Sequence, residues 1–170
     1  MSRDYPNPIE EFSSFFSMCL SESWVHSVTW APKKRPSLDP KFSKSHKEAP
    51  DDAFFQVEVE SPDDVRTGID LEFYDASRPL FKNKDWLERR LKIPEATIKA
   101  LSSEKLLEEW CFREAAFKAL YPFNEGIVLS DFIRESEHQL SIEVKGQSYI
   151  FDLKGEWKAP WFVALARRSI

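Results

Sequence analysis

Cysteine is scarce in this chain of 170 residues: Cys19 and Cys111 are the only two. Two thiols with no ligand spacing between them make neither a disulfide framework nor a zinc site, so both are expected as reduced core thiols. Also missing is any apolar run near the roughly 20 residues of a membrane span. The opening Met1-Ser2-Arg3-Asp4-Tyr5-Pro6 lacks the basic n-region and apolar core of a secretion signal, and the expectation is a cytoplasmic protein. No repeat at solenoid spacing occurs. An excess of positive charge is absent too, since 24 Lys and Arg against 29 Asp and Glu leave a net charge of −5. That balance argues against general nucleic-acid binding, although Lys33-Lys34-Arg35 and Arg89-Arg90 leave room for a local anion site. What the chain does have is aromatic bulk, six tryptophans and fourteen phenylalanines, enough for one ordinary domain or two small lobes that share a core.

The periodicity predicts an α+β domain. Ile9, Phe12, Phe16 and Leu20 repeat at helical spacing, and Trp24 to Trp30 is rich in strand formers. From Ala31 to Asp52, Pro32, Pro36, Pro40 and Pro50 punctuate a basic stretch that reads as a long loop. Phe55, Val57 and Val59 alternate with polar residues as in a half-buried strand, and Ser61-Pro62-Asp63-Asp64 then turns the chain. Val65 to Phe73 is expected as the hairpin partner of that strand, with Ile69, Leu71 and Phe73 on one face and Gly68, Asp70 and Glu72 on the other. One or two short helices are expected between Asp75 and Ser103. Ser103 would cap a long helix that ends at Pro122, and strands follow over Leu140 to Val144, Tyr149 to Leu153 and Trp161 to Ala166.

The long helix carries a carboxylate where a buried stripe is expected. Leu107, Trp110, Glu114, Phe117 and Tyr121 follow at three- and four-residue steps, and Glu114 is the one polar side chain whose hydration that stripe would strip. An intrahelical pair with Lys118, worth about 0.2–0.5 kcal/mol, would explain it without chemistry. Asp70 and Glu72, at i and i+2 on one strand face, are by spacing alone better explained by a solvated outer face. Together the three acids are oxygen donors from two elements. Such a set suits a hard cation such as Mg²⁺, with Lys118 and Arg113 at hand to neutralise phosphate oxygens.

Gly68-Ile69-Asp70-Leu71-Glu72, followed some forty residues later by Trp110-Cys111-Phe112-Arg113-Glu114-Ala115-Ala116-Phe117-Lys118, resembles the paired signature of the 4′-phosphopantetheinyl transferases. That signature is a G-[IV]-D-x-E strand and a W-x-x-K-E-[AS]-x-x-K helix. Phe42-Ser43-Lys44-Ser45-His46 is similar to the F-x-x-S-H segment of the larger, surfactin-synthetase-activating type, and Lys34-Arg35-Pro36 to its G-K-P. Trp161 to Ala166 is similar to its last strand, and the N-terminal extension speaks against the short trimeric type.

The resemblance implies that family's fold, an antiparallel sheet packed on one long helix in a monomeric pseudo-dimer. Its reduced N-terminal lobe would be residues 1–67, with the basic proline-rich loop, and its C-terminal lobe 68–170. It implies Mg²⁺-dependent transfer of phosphopantetheine from coenzyme A to a serine of an acyl or peptidyl carrier protein, in fatty-acid, polyketide or peptide synthesis. Asp70, Glu72 and Glu114 would hold Mg²⁺, Lys118 would neutralise the transferring phosphate, and Glu114 or a metal-ordered water would be the base. Ser45 and His46 would contact the coenzyme's phosphates and Arg35 its ribose end, His46 being equally well explained as an ordinary loop histidine. Lys82, Lys84, Arg89, Arg90 and Lys92 are candidates for docking the acidic carrier, or a solvated helix face. Arg113 stands where the family has lysine, and it keeps the charge but cannot serve as a base. Two alternatives follow: a catalytically silent relative that binds a carrier or other partner without transfer, and an unrelated α+β domain with a structural Glu114–Lys118 pair.

Overall fold

The computed structural model describes residues 5–31, 39–49, 52–75 and 89–170. Two short helices come first, α1 (Pro8–Glu11) and α2 (Ser13–Ser21). Asn7 caps α1 by accepting the Ile9 N–H at 3.0 Å, and Pro8 sits at the first helical position, where no N–H is needed. Phe12, Phe15, Phe16 and Cys19 are buried while Ile9 and Leu20 are exposed, so the apolar face differs from the expected stripe at both ends.

Strands β1 (Ser27–Ala31), β2 (Phe42–Glu48) and β3 (Phe54–Glu60) form an antiparallel sheet in the order β1-β3-β2. β2 corrects the expectation of a continuous loop from Ala31 to Asp52. Between Pro40 and Pro50 the chain has room for a proline-free run of seven residues, enough for a strand that pairs along β3.

β4 (Val65–Phe73) is not the hairpin partner of β3. It pairs with β8 (Trp161–Ser169) in a second antiparallel sheet of order β4-β8-β7-β6-β5, with β5 Ile133–Ser136, β6 Gln139–Val144 and β7 Gln147–Lys158. The turn is held open by Thr67, whose N–H donates to Ser61 Oγ at 2.9 Å and whose hydroxyl donates to Trp24 O at 2.6 Å. On its free edge β4 is satisfied by side chains of β2. Ile69 N–H donates to Ser43 Oγ at 3.0 Å and Leu71 N–H to Ser45 Oγ at 2.9 Å, so the two sheets meet without a backbone ladder.

After α3 (Glu95–Ala100) comes the long helix α4 (Ser103–Leu120). Its cap is Ser102, one residue before the expected Ser103, and Ser102 Oγ accepts the Lys105 N–H at 3.2 Å. Leu107, Cys111, Ala115 and Ala119 form its buried stripe, whereas Trp110, Glu114 and Phe117 are half-buried and Tyr121 is exposed. The expected stripe through Glu114 is thereby corrected: the glutamate flanks the buried face. Small residues win because α4 lies backbone-close on β4. A Cβ on Gly68 would come within 1.9 Å of Ala115 O and 2.7 Å of Ala119 N, so only glycine fits there.

In the five-stranded sheet β4 and β8 are buried on both faces, while β6 and β7 bury one. Ile69, Leu71, Trp161, Val163 and Leu165 pack with Phe12, Phe16, Val57 and Val59, and Phe162, Ala164 and Ala166 pack with α4, Leu140 and Phe151. The boundary expected before Gly68 falls inside β4, and the first of these cores draws residues from both sides of it. The fold is α+β, and no described helix is long and apolar enough to cross a membrane.

Candidate functional site

Strand alternation on β4 turns Gly68, Asp70 and Glu72 toward α4, and the close contact at Gly68 brings the helix over them. Asp70 and Glu72 are 6% and 5% exposed. Charges so far from water need partners. Lys118 supplies one, donating from Nζ to Asp70 Oδ1 at 2.9 Å and to Ile69 O at 2.8 Å. Ser45 Oγ donates to the same Asp70 oxygen at 3.1 Å, while Lys47 Nζ lies 2.8 Å from Glu72 Oε1. Asp70 Oδ2 is buried with no hydrogen-bond partner among the described residues.

Glu114 faces this group from one turn before Lys118. Burial first, and then the negative charge of Asp70, push its carboxyl above the ordinary carboxylate range; Glu72 adds to the push, and Lys118 and Lys47 oppose it. The Cys111 thiol is buried beneath, raised well above its usual value by burial, then by the charges of Asp70 and Glu72 and by a side-chain hydrogen bond to Asp70. All three acids therefore act on one another, with two ammonium groups against three carboxylates. Among the described residues no three His, Cys, Asp or Glu side chains form a ready-made metal shell. Each strand acid is held by a lysine instead. The donor set nevertheless fits a hard cation, because every donor is a carboxylate oxygen and Asp70 Oδ2 is an acceptor without a donor.

Other expected residues lie elsewhere. Arg113 is 4% exposed and points to a different face of α4. Its Nε donates to Glu109 Oε1 at 2.9 Å, and its Nη1 donates to Leu129 O at 2.9 Å and Phe132 O at 2.6 Å. The expected phosphate contact is thereby corrected: a residue next to Glu114 is turned about 100° around the helix, and this guanidinium pins the helix to the segment after it. His46 is exposed and stacks on Phe54, with ring centroids 5.7 Å apart, on the face of β2 opposite Ser45 and Lys47. It lines, with Lys47, Phe73 and Asp75, an open pocket of about 600 Å³ at the Glu72 end of the cluster. A smaller pocket of about 230 Å³, lined by Ser43, Lys44 and Lys118, opens at the other end. A separate cleft of about 530 Å³ lies over Glu109, Arg134 and Trp157, away from the three acids. Arg35, Lys82 and Lys84 lie outside the described residues; Arg89, Arg90 and Lys92 are exposed.

Sequence reasoning missed Lys47 and the clip made by Ser43 and Ser45. Their signal was the two-residue spacing Ser43, Ser45, Lys47, which places all three on one strand face. No protein-family model matches the chain, and no curated protein matches it significantly in sequence.

Proposed function

We propose that this protein is a Mg²⁺-dependent 4′-phosphopantetheinyl transferase with the fold of that family and a reduced N-terminal lobe, acting as a monomer on coenzyme A and an acyl or peptidyl carrier protein. The observation that carries the reading is the buried, unpartnered Oδ2 of Asp70 beside Glu72 and Glu114, with Lys118 reaching across from α4. Asp70, Glu72 and Glu114 are the residues that would hold the cation, which when bound supplies positive charge to a diphosphate. The chain's own groups do the rest. The carrier serine oxygen forms a bond to the phosphorus of the phosphopantetheine arm, the bond from that phosphorus to the bridging oxygen breaks, and adenosine 3′,5′-bisphosphate leaves with the electron pair. Glu114, on the turn before Lys118 and beside Asp70, would take the serine proton. Lys118 neutralises charge on the phosphate oxygens. Arg89, Arg90 and Lys92 offer positive charge to an acidic carrier.

Incubation with coenzyme A, Mg²⁺ and a panel of apo carrier proteins should raise a carrier's mass by one phosphopantetheine. Unchanged masses across the panel would remove the proposal. Glu114→Gln should stop transfer with the fold intact, and full activity in that variant would take Glu114 out of the reaction. One observation favours a second reading, a silent relative that binds a carrier without transfer: Asp70 and Glu72 are each already paired with a lysine, and Arg113 is spent on structure. Calorimetry separates the two, because Mg²⁺-dependent binding of coenzyme A belongs to the enzyme alone.

A further inference from the structure

At the C-terminal end of α4, away from the three acids, two arginines stand side by side. Arg66 and Arg168 are register partners across β4 and β8, so both project on the face that carries the helix. Like charges directly opposite one another weaken a sheet. Among the described residues neither arginine has an Asp or Glu side chain within ion-pair distance. Arg168 is 6% exposed and donates only to main-chain oxygens: Nε to Ala119 O at 2.8 Å, Nη1 to Ser169 O at 3.1 Å and Nη2 to Tyr121 O at 3.4 Å. Those bonds secure the end of α4 and account for Arg168 by itself. They do not account for a second arginine beside it. Arg66 donates one Nη1–H to its neighbour Val65 O at 3.0 Å, which leaves most of its five donors unused. Burial lowers the pKa of Arg168, Tyr149 offsets part of that and Arg66 lowers it again, as repulsion between the pair requires.

The two guanidinium groups line a pocket of about 550 Å³, within the range of small-molecule sites, with no acidic side chain among its described lining. Aromatic rings make one wall. Phe123 and Tyr149 stack at 5.7 Å, and the Arg168 guanidinium lies 5.7 Å and 5.4 Å from their centroids. Phe123 remains 48% exposed and Tyr121 43%, which leaves ring surface for a flat partner. We propose that this pocket binds a phosphate ester carried on a flat heterocycle, of the nucleoside monophosphate class, with the phosphate on Arg66 and Arg168 and the heterocycle against Phe123. The Arg66 fork, with most of its donors unused, can match phosphate oxygens bidentately, and the negative charge would relieve the like-charge pair. The pocket shares Pro40 and Tyr121 with the smaller one that contains Lys118, so the same chemistry has two sources: a free nucleotide, or the nucleotide end of a longer diphosphate ester lying at Lys118.

Calorimetry on the full chain in the presence of a chelator tests this with AMP and inorganic phosphate as probes. AMP should bind the wild-type chain, and Arg66→Ala, which leaves the Arg168 bonds to α4 in place, should weaken it by about tenfold, the loss of one charge-assisted hydrogen bond. Phe123→Ala should weaken AMP while leaving inorganic phosphate unchanged. No AMP binding by the wild-type chain would overturn the proposal, as would equal affinity in Arg66→Ala. AMP binding abolished by Lys118→Ala would overturn it too, because the ligand would then belong to the acidic cluster. Coenzyme A separates the sources: weakening by both Arg66→Ala and Lys118→Ala marks the nucleotide end of a diphosphate ester, and weakening by Lys118→Ala alone marks a free nucleotide. The proposal is independent of phosphopantetheine transfer, so a silent transfer assay leaves the AMP result standing.

Discussion

Two ionic clusters lie on different faces of α4, and they are completed to different degrees. On the face toward β5, Glu109 accepts from both Arg113 and Arg134, and the remaining donors of those guanidinium groups reach the carbonyl oxygens of Leu129, Phe132, Ser136 and Glu137. Each charge there has its partner. On the face toward β4, Asp70 Oδ2 is buried without one, and Glu114 makes no hydrogen bond or ion pair among the described residues while its carboxyl is pushed upward. A buried polar atom left unpaired costs about 1–3 kcal/mol. The difference teaches where to look for framework and where for a candidate site in this molecule: the finished network fastens the helix, and the unfinished one is where the proposed cation would find an acceptor.

That contrast can be broken or sharpened. Glu109→Ala takes the one carboxylate from two arginines, one of them buried, and should lower the unfolding free energy by about 3–5 kcal/mol in urea titrations. A loss comparable to that of an exposed ion pair would mean that the network is no framework. Next in size, Gly68→Ala forces a methyl into the α4 backbone and should cost about 1–3 kcal/mol, with faster amide exchange in the second half of α4 as the companion reading. Ser45→Ala removes the acceptor of the Leu71 N–H and a donor to Asp70, and a destabilisation of about 1–2 kcal/mol is expected by the same titration.

The smallest effect is the most specific. The pKa of Glu114 is higher in the folded chain than in the unfolded one, so the folded state takes up the proton first, and the stability this adds is gained as pH falls through the raised value and lost above it. At neutral pH the wild-type chain should therefore be slightly less stable than Glu114→Gln, with the gap closing on acidification toward 4.5, the ordinary carboxylate value. A gap that widens on acidification would show a carboxylate stabilised by its lysines. Added Mg²⁺ should likewise raise the unfolding midpoint of the wild-type chain and leave that of Asp70→Asn unmoved.

Much of the candidate site was legible because it depends on strand alternation, a local property. Gly68, Asp70 and Glu72 share a face of β4 as their spacing requires, and Ile69 and Leu71 fill the core behind them. The helix face was misread for a physical reason. Trp110 and Phe117 are more apolar than Ala115 and Ala119, yet the alanines are buried, since contact with β4 at Gly68 selects for small size before hydrophobicity. β2 was hidden because prolines on either side resemble prolines within, and the partner of β4 was hidden because β8 comes at the far end of the chain.

The sequence by itself determined an α+β chain, a strand with two acids on one face and a helix that carries a third, because side-chain period and capping act over a few residues. Only the tertiary structure decided which charge answers which. Lys118 lies four residues from Glu114 yet bonds Asp70, 48 residues away along the chain, and Arg113, next to Glu114, is turned toward Glu109 and Phe132. Ion pairing follows distance and burial in space, and both are set by how closely α4 can lie on the glycine of β4.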